Sequence, residues 1–124
     1  MTSLFFIALG GALGALLRYW AGVLSGVLFG RRFPVGTLFV NVTGSFLIGL
    51  AAAAVAAGKL PALPWNELIM QGFCGALTTF STFSLDSFQM FRQGRLLAAW
   101  GNVALSMLLC LSAAALGLSM FTQA

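Results

Sequence analysis

Histidine is absent from this 124-residue chain, and only two residues, Glu67 and Asp86, are acidic. No imidazole is therefore available for general acid–base work, for a c-type haem attachment or for a histidine-bearing zinc site. The two carboxylates form no pair, and no nucleophile–base arrangement or cofactor motif accompanies them. Cysteine occurs twice, as Cys74 and Cys110, each inside an apolar stretch without metal-ligand spacing. Both read as free thiols used as small packing residues. Charge of either sign is scarce: 6% of residues carry it, where a soluble domain carries about 25%. These absences exclude an enzyme and leave a water-soluble fold without a surface.

What the chain has in quantity is apolar residues, 60% of the total, and its mean hydropathy is +1.03. Lipid is the solvent that suits such a composition. The net charge of +4 comes from scattered residues, chiefly Arg31, Arg32, Lys59, Arg92 and Arg95. No run of them is long enough to follow a nucleic-acid backbone. At a bilayer, cations so placed anchor helix ends or meet anionic lipid.

A spanning helix needs about 20 mainly apolar residues, and four segments supply them. They are expected at 3–29, 35–57, 67–91 and 96–120, making an all-α integral membrane protein with a single transmembrane domain over 1–124. The first is interrupted by Arg18. Gly58-Lys59-Leu60-Pro61-Ala62-Leu63-Pro64 ends the second, where two prolines stop a helix. Arg92-Gln93-Gly94-Arg95 ends the third. Leu4-Phe5-Phe6-Ile7 follows no basic stretch, so the first segment is expected to be a span and not a cleavable signal. The basic-residue rule, with four cations in the odd loops and Lys59 in the middle one, favours termini outside.

Glycines in the first segment recur at four-residue spacing, as Gly10/Gly14 and Gly22/Gly26/Gly30. Gly44, Ser45 and Gly49 suggest a second small-residue face. In lipid, helices associate by close packing at such positions, so these faces are expected to meet protein. One four-helix chain has little cross-section for a wide polar route, which favours a homo-oligomer, most simply a dimer.

Polar residues inside spans are costly unless they face the bundle or water. Thr37, Asn41 and Ser45 form one stripe, serving either helix–helix hydrogen bonds or a pathway. Asn102, Ser106 and Cys110 repeat that spacing, with the same two readings open. The densest signal is Gly72-Phe73-Cys74-Gly75-Ala76-Leu77-Thr78-Thr79-Phe80-Ser81-Thr82-Phe83-Ser84. Its glycines and hydroxyls predict a third helix interrupted mid-membrane, tolerated only where the freed backbone groups find partners. Carbonyls of such a break can hold a cation. Arg18 either snorkels to an interface or raises the potential for an anion. Asp86 reads as a helix-end partner or vestibule residue, and Glu67 suits a helix N-terminus.

Transport is the function class that remains. A proton-coupled small multidrug transporter matches in size but needs a central carboxylate, and both acids look peripheral. A passive route of hydroxyls, amides and ring edges suits an anion better, because the edge of an aromatic ring is the positive part of its quadrupole. An accessory structural subunit is the third possibility.

Three stretches carry a resemblance: Gly10-Gly11-Ala12-Leu13-Gly14-Ala15-Leu16-Leu17-Arg18-Tyr19, then Gly36-Thr37-Leu38-Phe39-Val40-Asn41-Val42-Thr43-Gly44-Ser45-Phe46, then the 72–84 run above. In this order they resemble the small bacterial fluoride channels, over essentially the whole chain. The resemblance implies a cell inner membrane protein that exports cytoplasmic fluoride passively through two pores in an antiparallel, dual-topology homodimer. It implies that Asn41, Phe80 and Phe83 line the pores, with Thr37, Ser81, Thr82 and Ser106 as further polar contacts. It also implies a structural sodium ion at the dimer centre on the backbone carbonyls of Gly75 and Thr78, no organic cofactor, and a vestibule or assembly role for Arg18. Dual insertion and the loop-charge bias point in different directions.

Overall fold

A computed structural model describes residues 2–30, 33–61 and 65–121. Arg31, Arg32, Ala62, Leu63 and Pro64 of the expected loops lie outside the described residues. Helix α1 is Thr2–Phe29 and α2 is Val35–Ala56. The third segment comes in two pieces. Its first piece, α3, is a π-helix over Asn66–Cys74 that continues as one α-helical turn over Gly75–Leu77. Its second piece, α4, is Phe80–Arg92, and α5 follows at Leu96–Ser119. No strand occurs among the described residues.

Four stretches are long and apolar enough to cross a bilayer: Thr2–Phe29, Val35–Ala56, Asn66–Arg92 and Leu96–Ser119. The protein is therefore a multi-pass, all-helical membrane protein. Asn66–Arg92 has the lowest mean hydropathy of the four, 1.2 against 2.0 for Val35–Ala56. That deficit comes from the hydroxyls of the 78–84 stretch, which the bundle must partner.

Backbone proximity holds α1 against α3. Gly10 and Gly14 are buried, and a Cβ at Gly10 would collide with the Leu68 carbonyl, one at Gly14 with the Phe73 carbonyl. The second helical glycine pattern behaves differently: at Gly22 nothing lies within 4 Å of an added Cβ. Gly14→Ala is accordingly expected to cost about 1–3 kcal/mol by forcing α1 and α3 apart, whereas Gly22→Ala is neutral or slightly stabilising. Thermal unfolding in detergent separates the two, and equal melting temperatures would contradict this packing.

Helices α2 and α5 form the other close pair. Gly49 sits against the Ala114 backbone and Gly117 against the Phe46 and Leu50 backbone. Ala51, Ala53 and Ala54 are buried in the lower half of α2. Such small residues let dispersion contacts form between backbones where lipid gives no hydrophobic drive.

Two helix ends share one construction. After α2, Gly58 has φ +77°, its N–H donates to the Val55 carbonyl (3.1 Å), and Lys59 N–H donates to the Ala54 carbonyl (2.8 Å). After α4, Gly94 has φ +77°, its N–H reaches the Phe91 carbonyl (3.1 Å), and Arg95 N–H reaches the Met90 carbonyl (2.9 Å). This is the Schellman closure, in which a left-handed glycine satisfies the last carbonyls of the helix. In both cases the next residue is a cation.

Candidate functional site

The break between α3 and α4 organises the site. Thr78 (φ −80°, ψ 153°) and Thr79 (φ −150°, ψ 119°) are both extended. Two side chains divert the hydrogen bonds that would have carried the helix through. The Thr79 N–H, which a continuous helix would give to the Gly75 carbonyl, donates to Asn41 Oδ1 at 2.7 Å. Asn41 Nδ2 in turn donates to the Thr79 carbonyl at 3.1 Å. The Thr82 N–H, whose helical acceptor would be the Thr78 carbonyl, donates to Thr79 Oγ1 at 3.1 Å. Thr79 is thus the N-cap of α4, a role that threonine fills well.

Hydroxyls complete the network. Thr79 Oγ1 donates to Thr82 Oγ1 (3.2 Å) and lies 3.2 Å from Ser81 Oγ. Thr78 Oγ1 folds back onto the Cys74 carbonyl at 2.9 Å. The methyl of Thr78 packs where any side chain at Gly44 would stand, so α2 meets the break closely. Thr79 is 7% exposed, and its polar atoms are satisfied inside the chain. Asn41 uses one of its two amide hydrogens on Thr79 and keeps the other for a further acceptor.

A cavity of 690 Å³ lies beside this network, lined by Arg18, Thr37, Thr79, Thr82, Asp86 and Arg95 among others. Glycine 30, Phe33 and Pro34, between α1 and α2, and Gln93, after α4, also line it, so it opens at that end of the bundle. Thr37 Oγ1 donates to Asp86 Oδ2 at 3.3 Å. Arg18 and Arg95 border the same cavity as Asp86.

The structure brings together some of the residues singled out from the sequence and separates others. Arg18, Thr37 and Thr82 line the cavity. Asn41 and Ser81 stand behind it, joined through Thr79. The Phe80 and Phe83 rings neighbour one another, with centroids 5.7 Å apart and planes 43° apart. Phe80 is 77% exposed and faces away from its own chain. Ser106 is buried elsewhere: Asn102, 1% exposed, donates to Ser87 Oγ at 2.9 Å, and Ser106 Oγ lies 3.5 Å from Asn102 Oδ1. In this chain the upper part of the 102/106/110 stripe ties α5 to α4. Glu67 accepts from Ser3 Oγ at 3.1 Å, and its Oε1 is buried without a partner.

Sequence reasoning missed Thr79 as the hub, Ser87 as the partner of Asn102, and Gln89, Gln93 and Arg95 as cavity residues. The first had a usable signal, a threonine immediately before a helical run with a second threonine at the third position. The others depend on contacts between distant helices.

A polytopic helical bundle with a broken third span and a polar cavity at one end is the class that fold and site define. The chain matches the family model described as CrcB-like protein, Camphor Resistance (CrcB), over residues 5–118, and it belongs to that family. It is 48% identical over 118 residues to a Vibrio parahaemolyticus protein named Fluoride-specific ion channel FluC, covering 95% of this chain and 93% of that one. Proteins of the same name from Aeromonas salmonicida (45% over 120 residues, 97% and 96% covered) and Vibrio cholerae (49% over 112 residues, 90% and 89% covered) are similar along comparable lengths.

Proposed function

We propose that this protein is a fluoride-selective ion channel that exports cytoplasmic fluoride across the cell inner membrane by passive electrodiffusion. The observation that carries the reading is the extent of the match to relatives of that name: 118 aligned residues in a chain of 124 necessarily span the break and its clamp. The working unit is an antiparallel homodimer with two pores, and the break at Thr78–Thr79 lies mid-membrane. Phe80 suits this reading, because its ring is 77% exposed directly after the extended Thr78–Thr79 break, where a second copy can meet it.

In this assembly fluoride leaves water in the cavity, where Arg18 raises the potential and Thr37 and Thr82 present hydroxyls. It then meets the unused N–H of Asn41 and the edges of Phe80 and Phe83, which carry partial positive charge. Ser81 and Ser106 add hydroxyl contacts once the second copy is in place. Neutral donors such as the Asn41 amide and the ring edges suit a small anion and bind it weakly enough for it to leave again.

The residues present also fit a structural sodium ion. The carbonyls of Gly75 and Thr78 have lost their helical donors to Asn41 and to the Thr79 hydroxyl, and unwound carbonyls are the usual ligands for sodium in membranes. Two such oxygens per chain become four around a two-fold axis, which supports a position at the dimer centre. The ion would neutralise carbonyl dipoles that face one another there.

One observation favours the multidrug-carrier alternative, namely that Asp86 lines the cavity. A single test separates the readings. Liposomes containing only the purified chain, clamped with a potassium ionophore, are expected to release fluoride rapidly and retain chloride. Drug-dependent proton flux without fluoride release would establish the carrier, and neither flux from verified dimers would leave an accessory subunit.

A further inference from the structure

At the end of the bundle opposite the polar cavity lies a second recess of 330 Å³, walled by Leu47 and Ala54 of α2, Ile69 of α3, Leu60 and Phe121. Among the described residues its lining is apolar except for one, Lys59, which carries the one charge that borders it. Lys59 is not loosely attached. The left-handed Gly58 and the bonds from the Lys59 and Leu60 N–H groups to the Ala54 carbonyl, 2.8 and 3.3 Å, fix its backbone at the rim. The side chain itself is exposed.

The recess has aliphatic and aromatic walls, which suit the hydrocarbon chain of a lipid. Its place at the C-terminal end of a spanning helix puts the rim at headgroup depth. A cation there complements a phosphate, and a lysine carries about fivefold in preference for an anionic over a neutral lipid surface. We propose that this recess binds one anionic phospholipid per chain, an acyl chain lying between α2 and α3 and the phosphate held by the Lys59 ammonium. The site is separate from the fluoride pathway and does not depend on it.

Native mass spectrometry of the detergent-purified protein tests this, with phosphatidylglycerol and phosphatidylcholine of identical acyl chains as probes. One phosphatidylglycerol per chain should survive activation at energies that strip phosphatidylcholine. Lys59→Gln should abolish that difference, Lys59→Arg should keep it, and Ala54→Leu, which fills the recess, should remove the bound lipid while Lys59 remains. Equal retention of both lipids by the unaltered chain would overturn the proposal, as would phosphatidylglycerol retention unchanged by Lys59→Gln. If Ala54→Leu instead dissociates the oligomer and no lipid is retained by the parent chain, the recess belongs to a second copy and the proposal fails. Fluoride efflux measured on the same preparations keeps this outcome distinct from that of the channel reading.

Discussion

Asn41→Ala is expected to slow fluoride efflux by about 100-fold or more while leaving the chain able to insert. The alanine removes both partners of the Thr79 peptide groups at a position that is almost fully buried. Leaving a buried N–H and a buried carbonyl unsatisfied costs about 1–3 kcal/mol each. The backbone has a ready remedy, since the Thr79 N–H can return to the Gly75 carbonyl and close the helix. Closure withdraws the carbonyl proposed for sodium and reorients α4 with its two phenylalanines. A penalty of about 2.7 kcal/mol or more corresponds to the expected hundredfold.

Asn41→Asp sharpens the test. The carboxylate still accepts from the Thr79 N–H but cannot donate to its carbonyl, and it adds negative charge where an anion must pass. Flux should fall in both variants, whereas amide exchange at Thr79 stays slow in Asn41→Asp and changes only in Asn41→Ala. Efflux from Asn41→Ala within about twofold of the parent chain would show that the clamp is not needed.

Phe80→Ile and Phe83→Ile should each lower fluoride flux by about tenfold or more with the dimer intact on size exclusion. Isoleucine keeps the apolar bulk and removes the quadrupole, so the loss reports on ring electrostatics and not on volume. An aromatic interaction of this kind is worth about 0.5–1.5 kcal/mol, strengthened where water is excluded. The larger effect is expected at Phe80, whose exposed ring has few contacts within its own chain to hold it otherwise. Unchanged flux in both variants would remove the rings from the pathway and leave the hydroxyls and Asn41 as its only selective groups.

Much of the architecture is written in composition. Four apolar runs gave four candidate spans, because hydropathy over about 20 residues is a bulk property that neighbours do not alter. The hydroxyl-rich stretch marked where the third span would be unusual. Which residues leave the helix was not legible, since that depends on Asn41, 38 residues away, taking the Thr79 N–H. The π-helix over Asn66–Cys74 was hidden for a similar reason: its sequence has no distinctive period, and close contact with Gly10 and Gly14 accompanies it. The Asn102/Ser106/Cys110 stripe was visible as a stripe, but the element its upper part faces, Ser87 on α4, is a matter of bundle geometry. Likewise the Thr37–Asp86 contact joins residues 49 apart, and no local pattern announces it.

The glycine closures of α2 and α4 bear on how the chain sits in its membrane. They lie at opposite ends of the bundle, one beside the polar cavity and one beside the apolar recess. Each delivers a cation one residue past its left-handed glycine, through the same backbone geometry. To the headgroups, each face of the molecule therefore presents one cation on the same backbone fitting. A tally of loop charges counts four cations at one face against Lys59 at the other, yet one cation at each face is held by the same backbone closure, Arg95 at the first and Lys59 at the second.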